Sequence, residues 1–372
     1  MKTNLFLLLA IISVFLNACQ DALVAKLPEK KPKAGKKVID TPVTKKYDTL
    51  KIAAVGDIML GTSYPNKNTL PPDSGKSSFN VALRELKDAD VTFGNLEGTL
   101  LDTGAPAYYK MHQHNKPWFF RMPTYYGGVL KDAGFNVLSL ANNHIGDFGK
   151  KGRKSTTNIL DSLGINYGGQ LTHPSAIFMV KGVSFGFCAF APNSNTLSLL
   201  DLKNAKKLIR QLKQQCNIVI VSFHGGGEGP ACEHVPFKME SYFSEMRGDV
   251  HNFAHTAIDA GADLVFGNGP HVCRAMELYN NRLIAYSLGN FCTYRCVSVV
   301  GVCGFAPLLK VYLNKEGAFL NGRILAYRQT HNNGLEADSA KHAVKKIKEL
   351  TEKDFPDSGI SISDEGLIAK NF

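Results

Sequence analysis

The chain has 372 residues, is 44% hydrophobic and carries a formal net charge of +11 at pH 7. That length can bury a sizeable core, as one large domain or one domain with additions. The basic excess is compatible with an acidic polymer or a phosphorylated substrate, and equally with simple solubility. No basic run is interleaved with aromatics, which argues against nucleic-acid binding, and no Gly-x-x-x-x-Gly-Lys-Ser/Thr run is present, which excludes a P-loop NTPase.

Residues 1–18 read as a lipoprotein signal peptide, with Lys2 as the positive end and a mostly apolar run from Leu5 to Leu16. Leu16-Asn17-Ala18-Cys19 resembles a bacterial lipobox, making Cys19 the lipidated first residue of the mature chain. An ordinary cleaved signal, with Cys19 incidental, is the alternative. The lipid reading predicts a body held to a membrane of the cell envelope, facing the periplasm or the exterior. Gln20 offers no obvious inner-membrane retention signal. Residues 19–50 form a basic tether with eight lysines in 20–50 and too few large apolar groups to fold alone, leaving about +6 for the body.

From Lys51 onward, strand-like apolar runs alternate with helical stretches. Strands are expected at Lys51–Val55, Asp90–Phe93, Asn136–Leu140, Asn217–Phe223 and Leu264–Phe266, with a hairpin pairing Ile177–Val180 and Ser184–Ala189. Helices are expected at Phe79–Leu86, Tyr125–Ala133, Lys151–Leu163, Asp201–Gln214 and Val250–Ala260. Arg274–Leu278, Arg282–Tyr286, Leu308–Leu313 and Gly322–Gln329 then read as consecutive antiparallel strands. The body is expected over 51–331, followed by a helical extension and tail over 332–372, with the helix at Asp338–Glu352. This order implies an α/β sheet core with helices outside and an antiparallel C-terminal portion. Seven cysteines follow Cys19, so at least one thiol lacks an intramolecular partner. Cys292 and Cys296 are close enough in sequence for a small loop, and no Cys-x-x-Cys pair supports a zinc cluster.

The chemistry-bearing residues sit where apolar strands end. Val137–Ala141 runs into Asn142, Asn143, His144 and Asp147. Asp57, Glu97, His224 with Glu228, and His271 follow other such runs. In open α/β sheets ligands bind outside the carboxyl ends of the strands. Carboxylates, a carboxamide and imidazoles form a mixed oxygen and nitrogen set that suits zinc, manganese or iron better than calcium. Taken singly, each residue could be a helix cap or a hydrogen-bonded core group. Gly225-Gly226-Gly227 and Gly267 with Gly269 let backbone approach a ligand closely.

Gly56-Asp57-Ile58-Met59-Leu60, Asn95-Leu96-Glu97, Ala141-Asn142-Asn143-His144, His224-Gly225, Pro270-His271-Val272 and Tyr286–Phe291 stand in the order seen in the CapA family of capsule and poly-γ-glutamate synthesis proteins. The chain resembles that family over about residues 50–310. The resemblance implies a calcineurin-like metallophosphoesterase-type fold, a four-layer α/β/β/α sandwich. It also implies a membrane-anchored role in making, exporting or anchoring an anionic surface polymer, alongside capsule-synthesis proteins. Carried over residue by residue, Asp57, Glu97, Asn143, His224, His271 and Asn268 correspond to metal positions. His144 corresponds to the acid that protonates the leaving group, with Asn143 supporting the metal or orienting substrate. Glu228 and Asn290 are expected at the substrate, although Gly289-Asn290 could equally be a turn leaving a strand. Met59 stands where the phosphoesterases, though not the CapA family, have a second ligand histidine. Asn268 stands where many CapA-like sequences have histidine, which implies a depleted centre holding one metal or none. A non-catalytic accessory protein using the same cleft, and a phosphoesterase, are the competing readings.

Overall fold

The first strand, Leu50–Met59, is buried at every position except Lys51. Such a run belongs at the centre of a sheet covered on both faces. Its neighbours are the parallel strand Val91–Leu96 and the antiparallel strand Phe305–Leu313. The computed structural model describes residues 49–112, 118–331 and 334–371. The expected signal peptide, the lipid site Cys19 and nearly all of the tether lie outside these residues. Among the described residues no helix is long and apolar enough to cross a membrane.

Two sheets form the middle of the body. The larger runs in the order Ile360–Ile362, Leu367–Lys370, Phe319–Thr330, Phe305–Leu313, Leu50–Met59, Val91–Leu96, Val137–Ser139, Asn166–Gly168. The smaller runs Met276–Tyr279, Arg282–Ala285, Leu264–Asn268, Ile218–His224, Val183–Phe190, Ser175–Val180.

Side-chain alternation along each strand builds three apolar layers. Ile52 and Ala54 face the smaller sheet, while Ala53 and Val55 face outward to the helices. In the smaller sheet Ile218 and Ile220 point inward, and Val219 and Val221 point outward. Phe93 locks the sheets together, with ring centroids 5.1 Å from Phe266 and 5.8 Å from Phe187.

Helices Tyr126–Ala133 and Gly149–Leu163 cover the larger sheet through Tyr126, Leu130 and Leu160. Helices Leu202–Gln215 and Val250–Asp259 cover the smaller one through Ile209, Leu212, Phe253 and Ala257. The latter two start at aspartate caps: Asp201 accepts from the Asn204 amide at 3.1 Å and Asp249 from the Asn252 amide at 2.9 Å. The expected α/β/β/α sandwich is therefore present.

Two expectations need correction. The four late strands do not form one antiparallel run: Met276–Tyr279 with Arg282–Ala285 is a hairpin of the smaller sheet, and Phe305–Leu313 with Phe319–Thr330 is a hairpin of the larger. Between them the chain crosses from one sheet to the other through the short strand Asn290–Thr293, which pairs in parallel with the end of the first strand, Asn290 opposite Asp57. Glycine makes this crossing possible: a Cβ on Gly56 would sit 1.9 Å from the Gly289 carbonyl oxygen.

The tail past 331 is likewise more than a helical extension. Helix His342–Asp354 buries Val344 and Ile347 in the inter-sheet core, and Ile360–Ile362 with Leu367–Lys370 extends the larger sheet. All seven cysteines of the body are free thiols, Cys292 and Cys296 included.

Candidate metal and catalytic site

The parallel strands of both sheets end on the same side, and the site residues follow from that. Asp57 comes from the first strand, and Glu97 follows Val91–Leu96 directly. His224 and Asn268 end neighbouring strands in register with each other. His271 lies in the turn after Asn268.

Glu97 is the centre of the cluster. It is fully buried and neither carboxylate oxygen has a hydrogen-bond partner. His271 Nε2 lies 3.7 Å and His224 Nε2 3.9 Å from Glu97 Oε1. Donor atoms of Asp57, Glu97 and His271 all lie within 4.8 Å of one another. Burial, then the charges of Asp57 and Glu228, push the Glu97 carboxyl up to about 8 against the pull of His271.

The two histidines are tuned in opposite directions. Burial, helped by the Arg247 charge, holds His224 well below its ordinary value, so its ring is neutral. Burial also disfavours the His271 cation, but Glu97 and Asp57 outweigh it and hold His271 well above the ordinary value. His271 Nδ1 stands 3.0 Å from Asp57 Oδ2 and 2.9 Å from Asn290 Oδ1, which directs Nε2 toward Glu97. A histidine whose second nitrogen is fixed by a carboxylate or carbonyl is the usual support for a metal ligand. His271 also adopts a left-handed backbone, φ +57°. That conformation is uncommon for a residue with a Cβ and is held here by its surroundings.

Asn290 was expected to face substrate; the structure gives it another task. It is fully buried, and its amide nitrogen donates to the carbonyls of Cys303, His271 and Ser298 at 3.1, 3.3 and 3.3 Å. With its oxygen on His271, it is a positioning residue. Glu228 pairs with the buried Arg247 at 2.9 Å and keeps 15% of its side chain exposed at the edge of the site.

Asn142 ties the loop that carries Asn143 and His144 to the strand that leads to Glu97. The Asn142 amide donates to the Leu96 carbonyl at 2.9 Å, and its oxygen accepts from the His144 and Ile145 amides at 3.1 and 2.9 Å. Asn143 Oδ1 is buried and unpartnered. Asn268 keeps a ligand atom too: its amide donates to Ser222 Oγ at 3.2 Å, and its Oδ1 is buried without a partner. Met59 is buried.

Some residues of the site escaped the sequence reading. Asn95 donates to Asp57 Oδ1 at 2.8 Å and lies 3.3 Å from His224 Nδ1, tying the two sheets together. It stands in the Asn95-Leu96-Glu97 motif, but nothing in the sequence assigned it a role of its own. Arg274 binds Glu240 through two contacts of 2.7 and 2.9 Å, and Glu240 accepts from the Gly227 amide at 2.9 Å, which fixes the glycine loop. Buried Arg247 donates to the Gly226 carbonyl at 3.1 Å. Nothing local marks these arginines, whose partners are set by the fold.

A metal is the group these residues fit. Glu97 Oε1 and Oε2, His224 Nε2, Asn143 Oδ1 and Asn268 Oδ1 are all buried without hydrogen bonds, and Asp57 Oδ2 meets only His271. Leaving so many polar atoms unpaired would be costly unless an ion satisfies them. The oxygen and nitrogen donor set matches zinc, manganese or iron.

The family model described as bacterial capsule synthesis protein PGA_cap matches residues 51–295. The chain belongs to this family. It is 32% identical over 277 residues to the PGA biosynthesis protein CapA of Bacillus subtilis (strain 168), covering 69% of this chain and 67% of that one. It is 28% identical over 267 residues to the capsule biosynthesis protein CapA of Bacillus anthracis, covering 66% of this chain and 60% of that one. Among solved structures it is similar to a hypothetical protein from Thermus thermophilus, at 15% identity and a TM-score of 0.47, covering 75% of this chain and 99% of that one. The CapA resemblance read from the motifs is thus borne out.

Proposed function

We propose that this chain is a metal-dependent hydrolase or transferase of the cell envelope, acting on an anionic capsular polymer of the poly-γ-glutamate type. The observation that carries the reading is the set of buried, unpartnered donor atoms around Glu97. Asp57, Glu97, His224 and His271 would hold the ion, zinc or manganese by donor type, with Asn143 and Asn268 oxygens beside them. When bound, the ion supplies Lewis-acid polarisation of the bond to be cut.

The remaining work falls to the chain. His144 Nδ1 is engaged by Asp147 Oδ2 at 2.8 Å, which leaves Nε2 to deliver a proton to the leaving group. Phe120 stacks on the His144 ring at 3.9 Å and limits its rotation. Lys110, whose Nζ binds the Asn143 carbonyl at 2.5 Å, adds positive charge for an anionic substrate, as does the basic excess of the body. The lipobox-like signal supports a lipid on Cys19, and the family's capsule role supports an envelope location and capsule-synthesis proteins as partners.

A second reading, a non-catalytic accessory protein binding polymer or a synthase through the same cleft, is favoured by asparagine at 268. The test incubates the chain with poly-γ-glutamate and a divalent metal, and follows polymer length. Shortening by the native chain that His144→Ala abolishes supports the enzyme. Binding without shortening, unchanged in His144→Ala, supports the accessory.

A further inference from the structure

Helix Val250–Asp259 carries His251 and His255 four residues apart, the spacing that places two side chains on one helical face. Their ring centroids are 4.1 Å apart. Glu277, from the edge strand Met276–Tyr279, approaches the same face, with its oxygens 2.9 and 3.1 Å from His255 Nε2. Donor atoms of the three residues lie within 4.8 Å of one another.

The surroundings hold these groups in place. Tyr286 donates its hydroxyl to Glu277 Oε2 at 2.7 Å. Tyr279 stacks on His255 at 3.7 Å, and Phe237 packs against His251 at 4.4 Å. A structural ion pair would need only His255 and Glu277. Among the described residues the His251 ring has no hydrogen-bond partner, yet it is packed against a second imidazole beside a carboxylate. His255 and Glu277 keep 22% and 12% of their side chains exposed, so an ion could enter from solvent.

We propose that His251, His255 and Glu277 form a second site for a divalent transition metal of the zinc type, distinct from the centre at Glu97. Two histidines one helical turn apart plus a carboxylate are an established zinc donor set, with a fourth position open to water. The site would brace the outer helix against the sheet edge. Arg247 lies just before that helix and Arg274 just before that strand, so the brace borders both segments that fix the glycine loop.

The test counts zinc per chain in the full-length protein after equilibration with micromolar zinc chloride and desalting. Native protein is compared with His251→Ala and with Glu277→Gln; the latter keeps a side chain of the same size beside Tyr286. The same substitutions are repeated in a Glu97→Gln background. One zinc fewer per chain in each variant, in both backgrounds, with zinc affinity at least about tenfold weaker, is the expected result. Equal zinc content in native and variant proteins overturns the proposal. Because each comparison is a difference, its outcome does not depend on whether the Glu97 centre binds metal.

Discussion

Asp147 Oδ2 lies 2.8 Å from His144 Nδ1 and also accepts from the Phe120 amide at 2.9 Å. The carboxylate is completely buried and Lys110 Nζ lies 3.5 Å from its other oxygen. His144 is thus oriented by a partner that cannot itself turn. His144→Ala should lower turnover about 10²–10⁴-fold, the usual range for a general acid. Asp147→Asn should cost at least about tenfold in kcat with little change in KM, because His144 Nδ1 loses its orienting partner. Steady-state kinetics on polymer substrate across pH 5–9 check both.

Asn290 holds His271 by one contact and three carbonyls by others. Asn290→Ala should release the His271 ring and weaken metal affinity about 10–100-fold, the usual cost of losing a residue that orients a ligand. Competition against a chromogenic zinc chelator measures it. Unchanged affinity would remove Asn290 from the site.

Metal-free protein should become less stable as pH rises from about 4.5 to about 8. Glu97 is raised from 4.5 to about 8, so the folded state retains a proton that the unfolded chain has released. Its contribution is fully present below 4.5 and is lost as pH rises through about 8. His271, raised from 6.5, acts in the same direction above that pH. Thermal unfolding midpoints in chelator should fall across this window and fall less in Glu97→Gln. Zinc should raise the midpoint more at pH 8 than at pH 6, because binding needs the ionised carboxylate.

Lys310 is buried in its strand and pairs with Glu85 at 2.5 Å and Asp88 at 3.1 Å. The Lys310 hydrogen bond is the main cause that lowers Glu85 below 4.5. Its contribution is present above 4.5 and is lost as pH falls through the lowered folded value. Glu85→Gln should destabilise by about 1–3 kcal/mol at pH 7 and by much less near pH 3. Urea titrations at the two pH values test this.

How much of this was legible in the sequence follows from what each residue's neighbours are. Asp57, Glu97, His224 and His271 could be read because each lies near or just past the end of a strand whose apolar run shows in the local pattern, and parallel strands bring such ends together. The helices at 126–133, 149–163, 202–215 and 250–259 showed in the sequence by their apolar periodicity. Asn290–Thr293, Ile360–Ile362 and Leu367–Lys370 are three or four residues long. At that length the pattern is too short to distinguish a strand from a turn, and tertiary pairing decides. Arg247 and Arg274 were invisible for a related reason. Their burial is compensated by Glu228, Glu240 and loop carbonyls that only the fold brings near. Asn268 read as the loss of a ligand, yet its side chain is anchored so that an unpaired oxygen remains.

The most direct test of the central claim is the metal content of residues 20–372 purified without chelator and measured by elemental mass spectrometry, beside the His224→Ala/His271→Ala variant. The account predicts at least one more tightly held zinc or manganese per chain in the native protein than in the variant. Equal metal content in the two, maintained after incubation with zinc or manganese, would contradict it and leave the cleft as a site for binding polymer or a partner.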